Sequence, residues 1–271
     1  MNTLEINNLS KSFGSNKVID DISFAVPENC IFGLIGANGA GKTTTMKMIL
    51  GLLKSDGGTI SVCGENVSFG ETKTNRLIGY LPDVPEFYNY MRPKEYLSLC
   101  GEIVGLDSKI AKSRIEELLN LVGLAGINKK IGGFSRGMKQ RLGVAQALIG
   151  EPKLLICDEP TSALDPIGRK EILDILMQIK GKTTVIFSTH ILSDVEKICD
   201  SIAVLNNGKI VLESGMNDLK LQKKSKSMML EFDREVDADD VAKLLTDNNM
   251  APIKCEISEQ SLETLYIEAV K

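Results

Sequence analysis

A glycine-rich segment near the start of the chain has the residue types and spacing of a phosphate-binding loop. The pattern G-x-x-x-x-G-K-T is fitted by Gly36, Ala37, Asn38, Gly39, Ala40, Gly41, Lys42 and Thr43. Glycines let backbone N–H groups curl around phosphate oxygens, which a Cβ atom would obstruct. Lys42 can place its charge on the β- and γ-phosphates, and the Thr43 hydroxyl can ligate Mg²⁺. The alternative, a chance glycine-rich turn, is disfavoured by the strand pattern before the segment and the helical pattern after it.

Two adjacent carboxylates end an apolar run later in the chain. Asp158 and Glu159 follow the run KLLIC at 153–157. Asp158 can hold Mg²⁺ directly or through water, and Glu159 can polarise a water for attack on a γ-phosphate. Alone, the pair reads as solvated turn residues. Together with the phosphate-binding loop, it indicates a catalytic site for nucleotide hydrolysis.

The single histidine of the chain, His190, ends the apolar run TTVIFSTH at 183–190. A lone histidine is more often an ordinary core or surface residue than a functional one. Its interpretation therefore depends on what the fold brings next to it.

Two predicted helix starts carry polar groups that suit an anion. Ser135 and Gly137 leave O–H and N–H groups open at the positive end of the helix predicted within 134–150. A helix cap explains them equally well. Asp165 and Pro166 form an N-cap and first-position pair, and capping alone also explains Asp165.

The elements that must position these residues follow from hydrophobic patterning. Alternating runs predict antiparallel strands with one buried face at 4–9, 22–26 and 58–64. Nearly continuous apolar runs predict strands buried on both faces at 30–36, 153–159 and 183–190. Each buried run is followed by a helical pattern, which predicts a parallel sheet.

Two further segments complete this organisation. Residues from about 85 to 150 are predicted to be mostly helical, with an apolar face over 113–124. Residues 201–215 predict a hairpin around the dipeptide Asn207-Gly208.

Composition excludes several functional classes. The net charge of −4 argues against a protein that binds nucleic acid by bulk electrostatics, and no nucleic-acid partner is expected. The six cysteines are scattered without a C-x-x-C pair, which argues against a zinc site or a disulfide framework. The first residues do not resemble a signal peptide, and no apolar stretch approaches the roughly 18 residues of a membrane span.

With these motifs in order, residues 1–215 resemble the ATP-binding subunit of an ABC transporter. In that resemblance GANGAGKTT is the Walker A motif, which adds Thr44 to the phosphate loop, and LLICDE is Walker B. FSRGM stands at the signature motif, SALD at the D-loop, and His190 at the switch histidine that contacts the γ-phosphate. Phe13 stands where the family stacks an aromatic ring on adenine, with packing on its own domain as the alternative.

The resemblance implies an α/β fold with a P-loop NTPase core, in which the sheet is mostly parallel. An antiparallel β subdomain and a helical subdomain (about 85–150) would complete the ATP-binding domain, 1–215. A linker, 216–226, would lead to a small α+β accessory domain, 227–271.

The resemblance also implies the activity: hydrolysis of MgATP by a head-to-tail dimer. Ser135, Gly137 and Asp165 of one subunit would complete the ATP site of the other. ATP-driven closure would power a separately encoded membrane permease of the exporter type, with this subunit in the cytoplasm on the inner face of the cell membrane. Exposed aromatics within 85–105 would contact the permease, although core packing is an equally good use for some of them.

Two motifs depart from the family pattern. The signature motif is usually Leu-Ser-Gly-Gly-Gln, and here Phe134, Arg136 and Met138 differ. Asp83 stands where the family usually has the Q-loop glutamine, and we expect it to hold Mg²⁺ through water.

Three other functions fit the sequence less well. A soluble ABC-type ATPase acting on ribosomes or nucleic acid usually has two cassettes or a long coiled coil, which this chain lacks. A small-molecule kinase would have no use for the signature stretch or the D-loop. A non-catalytic binding module would not need the Glu159 carboxylate.

Overall fold

The structure is a computed structural model that describes residues 1–70, 73–222, 236–252 and 255. The chain divides into two compact units, Met1–Leu221 and Gln222–Lys271.

The first unit contains a four-stranded antiparallel sheet. Its strands, in the spatial order β2-β1-β4-β5, are β1 (Asn2–Phe13), β2 (Asn16–Pro27), β4 (Gly57–Val62) and β5 (Glu65–Asn66). Buried and exposed positions alternate along much of β1 and β2, because one face of the sheet covers the core. The predicted antiparallel strands are confirmed.

A second sheet of six strands forms the centre of the same unit, in the order β10-β9-β3-β8-β7-β6. Its strands are β3 (Ile31–Ile35), β6 (Ile78–Leu81), β7 (Leu154–Asp158), β8 (Thr184–Thr189), β9 (Ser201–Asn206) and β10 (Lys209–Gly215). Only the β9–β10 pair is antiparallel, and it is the predicted hairpin, with φ of 47° at Asn207 and 76° at Gly208. Every residue of β3, β7 and β8 is buried, as their apolar runs predict.

Helices pack around this sheet, and three of them lie in the region predicted to be mostly helical, about 85–150. The helices are α1 (Lys42–Ile49), α2 (Pro93–Ile103), α3 (Ser108–Leu121), α4 (Arg136–Leu148), α5 (Pro166–Ile179) and α6 (Leu192–Ile198), with short 3₁₀ turns at Lys73–Leu77 and Ile131–Gly133. The apolar face predicted within 113–124 is buried through Ile115, Leu118, Leu119 and Val122. The hydrophobic core consists of two clusters. One contains side chains of the antiparallel sheet, of α1 and of one face of the central sheet. The other contains side chains of helices α2–α6 and of the opposite face of the central sheet.

The region after Gly215 differs from the predicted plain linker. Residues 216–222 form helix α7 (Met216–Gln222), whose first side chain, Met216, is buried in the core of the first unit. In the second unit the structure describes helix α8 (Ala238–Asp247), whose start is capped by the Asp237 side chain. Most of the accessory domain predicted at 227–271 lies outside the described residues, so the domain boundaries stay a prediction. None of the helices in the described ranges is long and apolar enough to cross a membrane.

Candidate functional site

The glycine-rich loop joins buried strand β3 to helix α1, which begins at Lys42. A Cβ atom at Gly36 would collide with the carbonyl oxygen of Leu205 on the neighbouring strand β9. Gly41 has a φ of 110°, a backbone conformation that residues with a Cβ rarely adopt, and a Cβ there would also lie 2.5 Å from Ile19 Cδ1. The strand, the tight turn and the helix start therefore require the glycines that the sequence supplies.

The Lys42 side chain lies across this loop and is 5% exposed. Its Nζ donates to the carbonyl oxygens of Gly36 (2.6 Å) and Ala37 (3.2 Å). The same Nζ lies 2.9 Å from Glu159 Oε1, at the end of β7. The structure thus brings the predicted lysine and the predicted base into direct contact.

Two hydroxyl groups hold the Asp158 carboxylate. Thr43 Oγ1 donates to Oδ2 (2.7 Å), and Ser188 Oγ donates to Oδ1 (2.7 Å). Hydroxyl and carboxylate oxygens are the hard donors that Mg²⁺ takes, and this ion is usually held by one or two carboxylates with water and substrate phosphates. The described residues contain no cluster of three or more His, Cys, Asp or Glu side chains suited to a metal cage. The donor set at Thr43 and Asp158 therefore fits Mg²⁺ held together with a nucleotide.

Glu159 is fixed through both its backbone and its carboxylate. Its φ of 47° lies in the left-handed region, and its N–H points to the carbonyl oxygen (3.2 Å) and the hydroxyl (2.9 Å) of Ser188. Its Oε2 lies 2.9 Å from His190 Nδ1, while Oε1 faces Lys42. The carboxylate is 13% exposed and the imidazole 45%, so the histidine lies on the open side of the pair.

The carboxyl ends of β6 and β7 concentrate negative charge. Burial, and after it the charges of Asp158 and Asp83, raise the pKa of Tyr80 on β6 to about 12. A cation or a cation-bound phosphate at this edge of the sheet would offset that charge.

Asp83 makes its contacts on another side of the site. Its Oδ1 accepts a hydrogen bond from Ser162 Oγ (2.6 Å) and lies 3.8 Å from an Arg136 guanidinium nitrogen. Two of the residues that depart from the family pattern, Asp83 and Arg136, thus form an exposed ion pair. Asp83 contacts Ser162 and Arg136 rather than Thr43 or Asp158. The role toward Mg²⁺ expected for Asp83 stays a prediction.

The helix starts predicted at Ser135 and Asp165 are confirmed as caps. Ser135 Oγ accepts from the Met138 N–H (3.2 Å), and Asp165 Oδ1 accepts from the Gly168 N–H (2.7 Å). A pocket of about 330 Å³ lies between the two helix starts. It is lined by Ser135, Arg136, Gly137, Met138, Arg141, Ala163, Leu164, Asp165, Ile167, Gly168 and Glu171.

Aromatic side chains outside the loop divide between surface and core. Phe13 is 51% exposed at the end of β1, and Lys11 Nζ lies 5.5 Å from its ring centroid, so its own domain does not bury the ring. Tyr88 and Tyr90 are also exposed, whereas Tyr96 is buried and hydrogen-bonds Gln146 (2.9 Å). The burial of Tyr96 confirms core packing as one of the two uses expected for the aromatics of 85–105, and contact of the exposed rings with a permease stays a prediction.

Sequence reasoning missed four polar residues that hold the site together. Ser188 binds Asp158 and Glu159, and Ser162 binds Asp83. Thr161 donates to Asp194 in the interior. For Ser188 the sequence offered one signal, a polar residue inside the apolar run VIFSTH. That pattern does not reveal which side chain the polar residue hydrogen-bonds.

This fold and this loop define a P-loop ATPase. Comparison with known proteins identifies the family within that class. The chain matches the ABC transporter family model over residues 19–162. It is 45% identical to the uncharacterised ABC transporter ATP-binding protein YxlF of Bacillus subtilis (strain 168), over 82% of this chain and 74% of YxlF. It is 36% identical to the bacitracin transport ATP-binding protein BcrA of Bacillus licheniformis, over 98% and 97% of the two chains.

A solved ATP-binding subunit of an ABC transporter is 30% identical and superposes with a TM-score of 0.72, covering 99% of this chain and 100% of that one. The chain therefore belongs to the ABC transporter family, as an ATP-binding subunit that hydrolyses ATP.

Proposed function

We propose that this chain binds MgATP at the loop 36–44 and hydrolyses it, as a head-to-tail dimer, to power a separately encoded membrane exporter. The observation that carries the proposal is the Glu159 carboxylate, which lies between Lys42 and His190 beside the Thr43–Asp158 pair. Within one unit, these residues would supply a base, a phosphate-binding cation and a magnesium site side by side.

The phosphates would be held by the loop amides, Thr44 and Lys42. Lys42 is within reach of both the loop carbonyls and Glu159, so phosphate oxygens would compete with these groups for its ammonium. Thr43 and Asp158 would hold Mg²⁺, which when bound neutralises charge that develops on the β- and γ-phosphates. Phe13 would stack on the adenine, which requires only a π-face and selects weakly among bases.

Hydrolysis would then need an oriented water. Glu159 would accept its proton or fix its orientation as the water attacks the γ-phosphate. His190, on the open side of that carboxylate, would hydrogen-bond the γ-phosphate and hold Glu159 in place.

The pocket between α4 and α5 supports a composite site. The start of α4 presents its positive dipole end and backbone N–H groups, and such helix starts bind phosphate. Ser135 and Gly137 would contact the γ-phosphate of the ATP on the second subunit, with Asp165 shaping the same interface. Each subunit would thus complete the other's site.

The permease would dock beside the helical region from the cytoplasmic face of the membrane. Tyr88 and Tyr90 support this, because their rings are exposed next to the segment that carries Asp83. The transport named for BcrA supports a transporter role. No comparison supports the alternative of a soluble factor acting on ribosomes or nucleic acid.

Co-purification tests the proposal directly. The tagged chain, isolated gently from membranes of its own cells, is expected to carry a multi-span membrane protein in stoichiometric amount, identified by mass spectrometry. Recovery only from the soluble fraction, or with ribosomes, would contradict it.

A surface variant sharpens this experiment. Replacing Tyr88 and Tyr90 by serine should release the membrane protein while ATP binding persists. Leu52→Ser is the matched control, because Leu52 is an equally exposed apolar side chain located after α1.

A further inference from the structure

A buried hydrogen bond joins the segment after Glu159 to the helix after His190. Thr161 Oγ1 donates to Asp194 Oδ2 at 2.8 Å, and both residues are 0% exposed. Thr161 lies two residues after Glu159, and Asp194, in α6, lies four residues after His190. The bond therefore links the two chain segments whose side chains meet at the Glu159–His190 contact.

Burial of the Asp194 carboxylate destabilises the folded state more than burial of an apolar side chain would, so packing alone does not account for it. Among the residues that the structure describes, none is placed to hydrogen-bond its second oxygen, Oδ1. Burial of a carboxylate that is only partly satisfied disfavours the folded state, and an apolar pair of the same size would pack without that cost. A carboxylate at this position therefore indicates a need for a directed bond to Thr161.

The unusual backbone conformation of Glu159 is what requires this directed bond. A glutamate with a φ of 47° occupies a sparsely populated conformation, which persists only where its surroundings fix it. On the upstream side, Ser188 holds the Glu159 N–H. On the downstream side, a turn joins the Ser162 N–H to the Glu159 carbonyl oxygen (3.0 Å), and Thr161 lies inside this turn. The bond to Asp194 fixes the turn to α6.

We propose that Asp194 and Thr161 are positioning residues for ATP hydrolysis: their hydrogen bond fixes the turn after Glu159 and so sets the Glu159 carboxylate against His190. This inference rests on the catalytic role proposed for Glu159. Neither residue touches ATP, so both act on the rate of the chemical step rather than on nucleotide binding.

The test compares variants of the full chain by kcat and KM for ATP and by Tm. Thr161→Val removes the donor at constant shape and leaves a buried carboxylate unpaired, so Tm should fall by roughly 5 °C. The kcat should fall about 10- to 100-fold, because small misplacements of a catalytic group have effects of that size, while KM stays within about twofold. Thr161→Ser, which keeps the hydroxyl, should retain most of kcat.

The double variant Thr161→Val with Asp194→Leu separates positioning from stability. It removes both polar groups, so Tm should return toward the wild-type value while kcat stays as low as in Thr161→Val. Thr3→Val is the matched control: it breaks the Thr3–Thr184 hydrogen bond (2.9 Å), which is equally buried but lies between β1 and β8, and it should leave kcat unchanged.

The outcomes are distinct. If kcat recovers together with Tm in the double variant, or if Thr161→Val keeps the wild-type kcat, the pair is structural and the inference is wrong. If the wild-type chain itself shows no hydrolysis above that of Lys42→Ala, the proposed function fails, and this inference fails with it.

Discussion

Glu159 is the residue on which the proposed chemistry depends most. Its two carboxylate oxygens face different basic groups, Lys42 on the loop side and His190 on the open side. Both contacts fix the orientation of the carboxylate. Oε1 is buried, so a water would approach from the side of Oε2 and His190. This geometry supports the proposal that Glu159 acts on the water and Lys42 on the phosphates.

Glu159→Gln should bind ATP but hydrolyse it at least about 100-fold more slowly, because the amide keeps the shape and loses the proton-accepting charge. Steady-state hydrolysis and ATP binding measure the two effects, and gel filtration should show an ATP-dependent dimer. Glu151→Gln is the control, since Glu151 also has a left-handed φ (51°) but its carboxylate is 74% exposed. Normal hydrolysis by Glu159→Gln would remove this residue from the proposed role.

At this scale, the sequence predicted residues that lie in short contiguous motifs. Lys42, Thr43, Asp158 and Glu159 could be found because their spacing is a local property of the chain. Ser188 could not, because its contact with Asp158 arises from the parallel register of β7 and β8, which pairs these two residues across 30 positions of sequence.

At the scale of elements, the start of helix α4 joins the two halves of the proposed dimer. Ser135 caps the helix, and Gly137, in its first turn, has open space where a side chain would lie. A substitution at Gly137 therefore probes the proposed anion site with little effect on packing.

Gly137→Asp should leave the fold intact and reduce ATP hydrolysis at least about tenfold. A carboxylate in the first turn of a helix stabilises it by about 0.3–1 kcal/mol, whereas the same charge would repel the γ-phosphate of the second subunit. Ser108→Asp is the matched control, because it adds the same charge to the first turn of α3, outside the pocket. Thermal unfolding and hydrolysis measured on both variants check this, and full activity of Gly137→Asp would contradict the composite site.

Elements were predicted well where burial dictated the pattern. The fully apolar runs of β3, β7 and β8 predicted strands covered on both faces, and Asn207-Gly208 predicted the β9–β10 turn. The helix at 216–222 was missed because its composition is polar, and only the docking of Met216 into the core distinguishes it from a connector. The ion pair of Asp83 with Arg136 was missed because it depends on the packing of segments that are distant in sequence.

On the scale of the whole molecule, the account requires two copies of the cassette and a membrane partner. The phosphate loop and the start of α4 both belong to the first unit, yet they lie in different parts of the chain and present separate anion-binding features. In a head-to-tail dimer, the phosphate loop of one chain and the start of α4 of the other would bind the same ATP molecule. This arrangement also predicts that defects at the two features complement each other when they lie on different chains.

The most direct measurement mixes Lys42→Ala chains with Gly137→Asp chains and follows ATP hydrolysis. Lys42→Ala alone should be inactive, and Gly137→Asp alone should keep at most about a tenth of the wild-type rate. In a mixed dimer, one site contains the Lys42→Ala loop and the Gly137→Asp helix start, so both defects fall in that site. The other site combines the intact loop of the Gly137→Asp chain with the intact α4 start of the Lys42→Ala chain. The mixture should then recover about a quarter of the wild-type rate, because half of randomly formed dimers are mixed and each has one working site. A mixture that stays as inactive as its components would contradict the composite site and the head-to-tail dimer.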